Sequence, residues 1–206
     1  MRPLSNGFSG IHDRERSHSK VRGIPFGVLS CRVIQRMLIR SAVPEDALAV
    51  AHVHVRAWRA AYRRLLPSDY LERLRPEERA ARYEFGVSDP RKPSTLVAVD
   101  DGAIVAFATV GPARDADVQG CGELCALYVT PQWWGKQLGC AMIEQGRASL
   151  RARGYEVAVL WVLAGNTRAE RFYRRDGWRI DGSQRTVHVW GIDVDELRYR
   201  RDLKTP

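Results

Sequence analysis

Periodic alternation of apolar and polar positions begins at Met37; residues 1–36 are rich in Gly, Ser, Arg and His and carry no sustained period. "MLIR" reads as a short strand. Pro44, followed by Glu45 and Asp46, suits the first turn of a helix that continues to about Arg64. Along it Val50, Val53, His54, Ala57, Trp58, Ala61 and Tyr62 recur at three- and four-residue steps as one apolar stripe. A second helical stretch, starting at Ser68 or Pro76, runs to about Phe85, and "SDPRKPS" is a loop. "TLVAVD" and "AIVAFATVG" are strands joined by a tight Asp101-Gly102 hairpin turn. "RDADVQGCG" is a loop and "ELCALYV" the next strand, ended by Pro131.

Leu138 to Arg153 reads as a helix with Gly154 as its C-terminal cap. "EVAVLWVL" is almost continuously apolar, as a central strand covered on both faces must be. Asn166 caps a helix from Thr167 to Asp176, closed by Gly177. Two strands follow, near Trp178–Val189 and Val194–Arg201. The order β-α-α-β-β-β-α-β-α-β-β predicts one α/β domain over residues 37–206. Its central sheet is mixed and mostly antiparallel, of about seven strands, with helices on both faces. Residues 1–36 are expected to be a disordered basic extension.

Apolar residues make up 45% of the 206, enough for a sizeable core. No apolar run reaches the roughly 18 residues of a membrane span, and the N-terminus lacks the apolar stretch of a secretory leader, so a cytoplasmic protein is expected. Cys31, Cys121, Cys125 and Cys140 form no CxxC pair and read as reduced thiols rather than a metal site. The net charge of +9 invites a nucleic-acid reading. However, residues 1–36 hold seven Arg or Lys against two acids and so carry +5 of it, without the interleaved aromatics of a single-strand-binding surface. Neither nucleic acid nor membrane is therefore expected as a partner.

The chemistry concentrates around "PQWWGKQLGC", Pro131 to Cys140. A strand stops and a helix begins. The first backbone N–H groups of that helix have no partner inside it and lie at the positive end of its dipole, which suits an anion. Gly135 and Gly139 let a phosphate come close to the main chain. Neither a Walker loop nor a GxGxxG fingerprint is present. The stretch resembles the pyrophosphate loop of the GNAT acetyltransferase superfamily, [RQ]-x-x-G-x-[GA]. Trp134 stands at the Arg/Gln position, Gln137 at the first glycine and Gly139 at the second. Gln137 is harmless at negative φ and strained by about 1 kcal/mol at positive φ. "GELCALYVTP" resembles the family's fourth strand, with an acid six positions before Val129. "LWVLAGNTRAERFYRRDGW" resembles its fifth strand and next helix, N-x-x-A-x-x-F-Y-x-x-x-G-[FW], matched at Asn166, Ala169, Phe172, Tyr173, Gly177 and Trp178.

The resemblance implies transfer of an acetyl group from acetyl-CoA to a primary amine of a small molecule or peptide, directly and through a tetrahedral intermediate, with no metal. It implies that Glu123 is the base through water, and that Tyr173 supplies a proton or hydrogen bond to the departing sulfur. The amide of Val129 or a neighbour, Leu127 or Tyr128, would polarise the thioester. Trp134, Gly135, Lys136, Gln137, Leu138, Gly139 and Cys140 would form the diphosphate clamp, and Asn166 and Phe172 would border the pantetheine. Plainer readings stand beside these: a solvated strand-edge Glu123, a core Tyr173, Asn166 as a helix cap, Lys136 as a solvated loop lysine. Trp58 and Tyr62 read as packing or as acceptor-pocket lining. A homodimer through the last strands follows from the resemblance alone, and a CoA-binding sensor without turnover is the alternative function.

Overall fold

The computed structural model describes residues 37–189 and 191–204, so the expected basic extension lies outside the described residues. Seven strands form one sheet in the order β1-β2-β3-β4-β5-β7-β6. They are β1 Leu38–Ser41, β2 Ser94–Asp100, β3 Ala103–Pro112, β4 Gly122–Val129, β5 Val157–Leu163, β6 Arg179–Val189 and β7 Ile192–Asp202. All neighbours pair antiparallel except β4 and β5, which run parallel. The helices are α1 Ala47–Ala61, α2 Ser68–Arg73, α3 Pro76–Ala80, α4 Leu138–Ala152 and α5 Thr167–Arg175.

The local rules account for most boundaries. Asp101 and Gly102 both take positive φ, 46° and 77°, as the tight β2–β3 hairpin needs. The Asn166 side chain accepts a hydrogen bond from the Ala169 amide and caps α5. Two expectations are corrected. The first helix opens as a short 3-10 turn over Pro44–Asp46 and stops at Ala61 rather than Arg64. The stretch from Ser68 to Phe85 is two short helices followed by irregular chain: Leu74 is extended just ahead of Arg75 and Pro76, and Tyr83 and Phe85 turn inward against α1 and β3.

The sheet is covered on both faces. Val50 and Val53 of α1 pack on Val97 and Phe107. On the other face Leu138, Met142, Ile143 and Leu150 of α4 lie against Ala106, Ala108 and Val110 of β3, with Trp178 and Tyr199 in the same core. The short alanine side chains of β3 let α4 approach closely. Asp176, at the end of α5, ties three elements together: it pairs with Arg147 of α4 at 3.2 Å and Arg201 of β7 at 3.3 Å, and accepts the Trp178 indole N–H at 3.0 Å.

Gly122 begins β4 where no side chain fits. A Cβ there would meet Leu150 Cδ2 at 2.7 Å and the Tyr155 ring at 3.2 Å, and Leu150 is fully buried. Gly122→Ala is expected to destabilise the domain by about 1–3 kcal/mol through overpacking. Thermal denaturation should show Tm falling by about 2–4 °C for each kcal/mol lost; an unchanged Tm would contradict this packing.

Candidate active site

The site originates in a seam that fails to close. β4 and β5 are joined by two residue pairs only, Gly122↔Ala158 and Glu123↔Val159. Beyond them the strands diverge. β4 carries an extra residue, Cys125, between the pairs Val110↔Leu124 and Thr109↔Ala126, and such a bulge bends the strand. The Thr130 amide bonds to Val105 O on the β3 side, and backbone groups alternate sides along an antiparallel strand. Leu127 and Val129 therefore aim their amides into the gap. The divergence opens a cleft of about 1520 Å³ walled by β4, β5, α1, α5 and the β6–β7 pair.

One end of the cleft is the loop from Pro131 to Gln137, which makes a 3-10 turn over Pro131–Trp133 before α4 begins at Leu138. The Trp134 indole donates to Val129 O at 2.7 Å and thereby fastens the loop to the end of β4. Arg168 lays its guanidinium on the Trp134 ring, 3.2 Å from the centroid. Gly135 and Gln137 both have positive φ, 73° and 64°. Gln137 therefore occupies a left-handed position, the strained case. The first intrahelical bond of α4 runs from the Ala141 amide to Gln137 O, so the amides of Leu138, Gly139 and Cys140 precede the helical ladder. Gly139 lies under the Phe172 ring, 3.4 Å from where its Cβ would be.

Glu123 stands at the fork of the seam. It is 2% exposed, and both carboxylate oxygens are held by Arg114, at 2.8 Å and 3.3 Å. The solvated strand-edge reading is thus corrected. Pairing with β5 covers the strand at that residue, and Arg114 from the β3–β4 loop closes over it. Its neighbour Cys125 is free, and burial pushes its thiol up to about 12, which leaves it inert near neutral pH. Tyr173 borders the cleft half-buried; burial above all, with Tyr128 and Asp176 nearby, pushes its hydroxyl above the usual tyrosine range and keeps it protonated. The hydroxyls of Tyr62 and Tyr128 are likewise raised, above all by burial.

Of the expected site residues, Leu127, Tyr128, Val129, Trp134, Gly135, Gln137, Gly139, Cys140, Asn166, Phe172, Tyr173 and Glu123 border one cleft. Leu138 is fully buried and offers only its amide, and Lys136 sets its ammonium over the Trp133 ring at 5.0 Å. Sequence reasoning missed Arg114, Arg168, Trp161, Arg185 and Glu196. Arg168 had a legible signal, because a cation in the first turn of a helix opposes the dipole and invites an anion. The others meet only through the fold.

The architecture is thus an open mixed sheet split beside a glycine-bearing loop. A model of the acetyltransferase (GNAT) family matches residues 55–178, and the chain belongs to that family of enzymes. It is similar to the uncharacterised N-acetyltransferase YuaI of Bacillus subtilis, 31% identical over 129 residues, which are 62% of this chain and 72% of that one. It is also similar to an uncharacterised N-acetyltransferase of Mycobacterium tuberculosis strain H37Rv, 33% identical over 51% of this chain and 64% of the relative's length. Among solved structures, yncA of Salmonella typhimurium with its cofactor acetyl-CoA has a TM-score of 0.61 at 22% identity, covering 82% of this chain and 94% of that one. The PaiA N-acetyltransferase of Thermoplasma acidophilum in complex with coenzyme A also scores 0.61, at 18% identity and 81% and 98% coverage. Among the described residues no helix is long and apolar enough to cross a membrane.

Two outcomes test this geometry. At Gln137, glycine removes the left-handed cost but frees the unfolded chain, so Gln137→Gly is expected to stay within about 0.5 kcal/mol of the parent, whereas Gln137→Val loses about 1 kcal/mol or more. Equal denaturation midpoints for all three would contradict a positive φ. The second concerns His54, 4% exposed and stacked on Tyr128 at 4.4 Å. Burial, and secondarily Arg79, holds its imidazole well below the ordinary value of 6.5. As pH falls past 6.5 the unfolded chain gains a proton that the folded one refuses. The His54 contribution is therefore intact above that pH and is lost by up to about 1.4 kcal/mol per pH unit below it. His54→Gln should show a shallower loss of stability between about pH 6.5 and 5; an identical slope would place a proton on the buried ring.

Proposed function

We propose that the protein transfers an acetyl group from acetyl-CoA to a primary amine. One observation carries the reading: the unpaired edge of β4, with the amides of Leu127 and Val129 open to the gap, leads directly to the left-handed loop and the first amides of α4. An extended pantetheine arm fits that edge as a missing strand would, and its diphosphate fits the amides of Leu138, Gly139 and Cys140. A Cβ at Gly135 would meet nothing within 4 Å, so the loop backbone is open to an approaching phosphate. Arg168 supplies a positive charge at the same end, in the first turn of α5 and against its dipole. Asn166 and Phe172 border the arm.

The amine attacks the thioester carbonyl, a C–N bond forms and the C–S bond breaks. The Val129 amide, or that of Leu127, polarises the carbonyl oxygen. Glu123 receives the amine's proton through water, with Arg114 fixing the orientation of its carboxylate. Tyr173, protonated and at the cleft, hydrogen-bonds to the sulfur as it leaves.

Tyr173→Phe is expected to lower turnover by about tenfold or more while acetyl-CoA affinity stays within about twofold. Thiol release in the presence of an amine panel, together with calorimetric binding, measures both. Unchanged turnover removes Tyr173 from this role. Retained acetyl-CoA binding with no thiol released by the parent protein would favour a CoA-binding sensor instead.

A further inference from the structure

We infer that Glu196 is the seat of the acceptor's ammonium group, and that the acceptor class is a primary amine carried on an apolar body. The inference rests on the acetyl-transfer reading and names the substrate of that same cleft.

Four carboxylates border the cleft, Glu84, Glu123, Asp176 and Glu196. Glu84 pairs with Lys92 on the outer surface and is 72% exposed, so water screens it. Asp176 has both oxygens occupied by Arg147, Arg201 and the Trp178 indole. Glu123 has both oxygens held by Arg114. Glu196 differs. Arg185 reaches it with two nitrogens, Nε at 2.9 Å and Nη2 at 2.8 Å, and both contacts go to Oε2. Within the described residues Oε1 has no hydrogen bond, and the side chain is 18% exposed on the cleft wall.

The carboxylate is also held rigidly. Arg185 lies flat on the Trp161 ring at 4.0 Å and bonds Asp115 Oδ1 at 3.2 Å, while Asp115 Oδ2 accepts the Trp161 indole N–H at 2.9 Å. Glu196 therefore presents one fixed, shielded oxygen to the cleft. It lies opposite Leu163 in the β5–β7 register and lines the same cleft as Tyr62, Tyr128 and Tyr173. Glu196 thus shares one cleft with these hydroxyls, including that of Tyr173, the residue assigned to the departing sulfur.

The surroundings select the rest of the acceptor. Tyr62, Leu66, Tyr128, Leu163 and Val189 pack together there, an apolar wall with Glu196 at its edge. A second ammonium, as in a polyamine, finds no further open carboxylate in the cleft, because Glu123 and Asp176 are engaged on both oxygens and Glu84 is screened by water. A single ammonium on an apolar body meets an acceptor oxygen at one end and aromatic and aliphatic carbon at the other.

The test titrates benzylamine, and its neutral isostere benzyl alcohol, into the CoA-saturated full chain by calorimetry, for the parent, Glu196→Gln and Arg185→Gln. Benzylamine turnover is followed by thiol release. The expected result is benzylamine binding that weakens by about tenfold or more in Glu196→Gln, with benzyl alcohol unaffected and Arg185→Gln retaining the amine. KM for benzylamine should rise in parallel while acetyl-CoA affinity is unchanged. Equal weakening of both ligands, equal effects of both substitutions, or no benzylamine binding by the parent overturns the assignment. Glu196-dependent binding without thiol release would leave the seat standing and remove the transfer reading. Thiol release whose KM ignores Glu196→Gln would do the reverse.

Discussion

Everything distinctive in this domain depends on two parallel strands that pair for two residues and then part. Gly122 and Glu123 join β4 to Ala158 and Val159 of β5, and past that point the ladder is abandoned. Unpaired strand edges normally seek another strand. Here both edges sit inside the molecule, covered by helices from either face, and remain available to an extended ligand. The Cys125 bulge bends one wall, and the Trp134 indole and the Asn166 amide take up Val129 O and Leu163 O where the strands end. The seam is thus closed at one end by β-pairing and trimmed at the other by single hydrogen bonds, with the backbone between them free.

A second theme is how the cleft's charges are held. Arg114 clamps Glu123, Arg185 bridges Asp115 and Glu196, and Arg198, 5% exposed at its side chain, joins Asp115, Asp117 and Asp181. Half-buried pairs of this kind contribute little net stability, because desolvation offsets the attraction. Their value here is orientation. They anchor the β3–β4 loop, which bears Asp115 and Asp117, to the β6–β7 pair, and they leave particular carboxylate oxygens either occupied or open. The chain belongs to the acetyltransferase (GNAT) family, and its sequence differs from the resemblance it carries at Trp134 and Gln137. The structure gives each a physical account. Trp134 puts, where the resemblance has Arg or Gln, an indole that both hydrogen-bonds the strand and supports Arg168. Gln137 keeps the left-handed turn at a modest conformational cost.

Much of this is legible in the sequence. The Asp101-Gly102 hairpin, the Asn166 cap, the covered β5 and the helix after Gln137 follow from rules that act over a few residues. The misreadings have equally definite causes. The span from Ser68 to Phe85 has helical composition, yet Tyr83 is drawn into contact with His54 and Phe107, and Phe85 stacks on Tyr83. Glu123 looks like an exposed carboxylate on a strand, and only the pairing with β5 and the approach of Arg114 bury it.

Spacing determined most of the elements, their order and the position of the loop, because hydrogen bonding and side-chain periodicity within a helix or strand depend on near neighbours. The tertiary structure decided where the sheet opens, which φ Gln137 adopts and which carboxylates are free to act. Those outcomes depend on contacts such as Arg185 with Asp115, 70 residues apart. The geometry of such a contact is set by the packing of whole layers, and no local pattern of residue types encodes it.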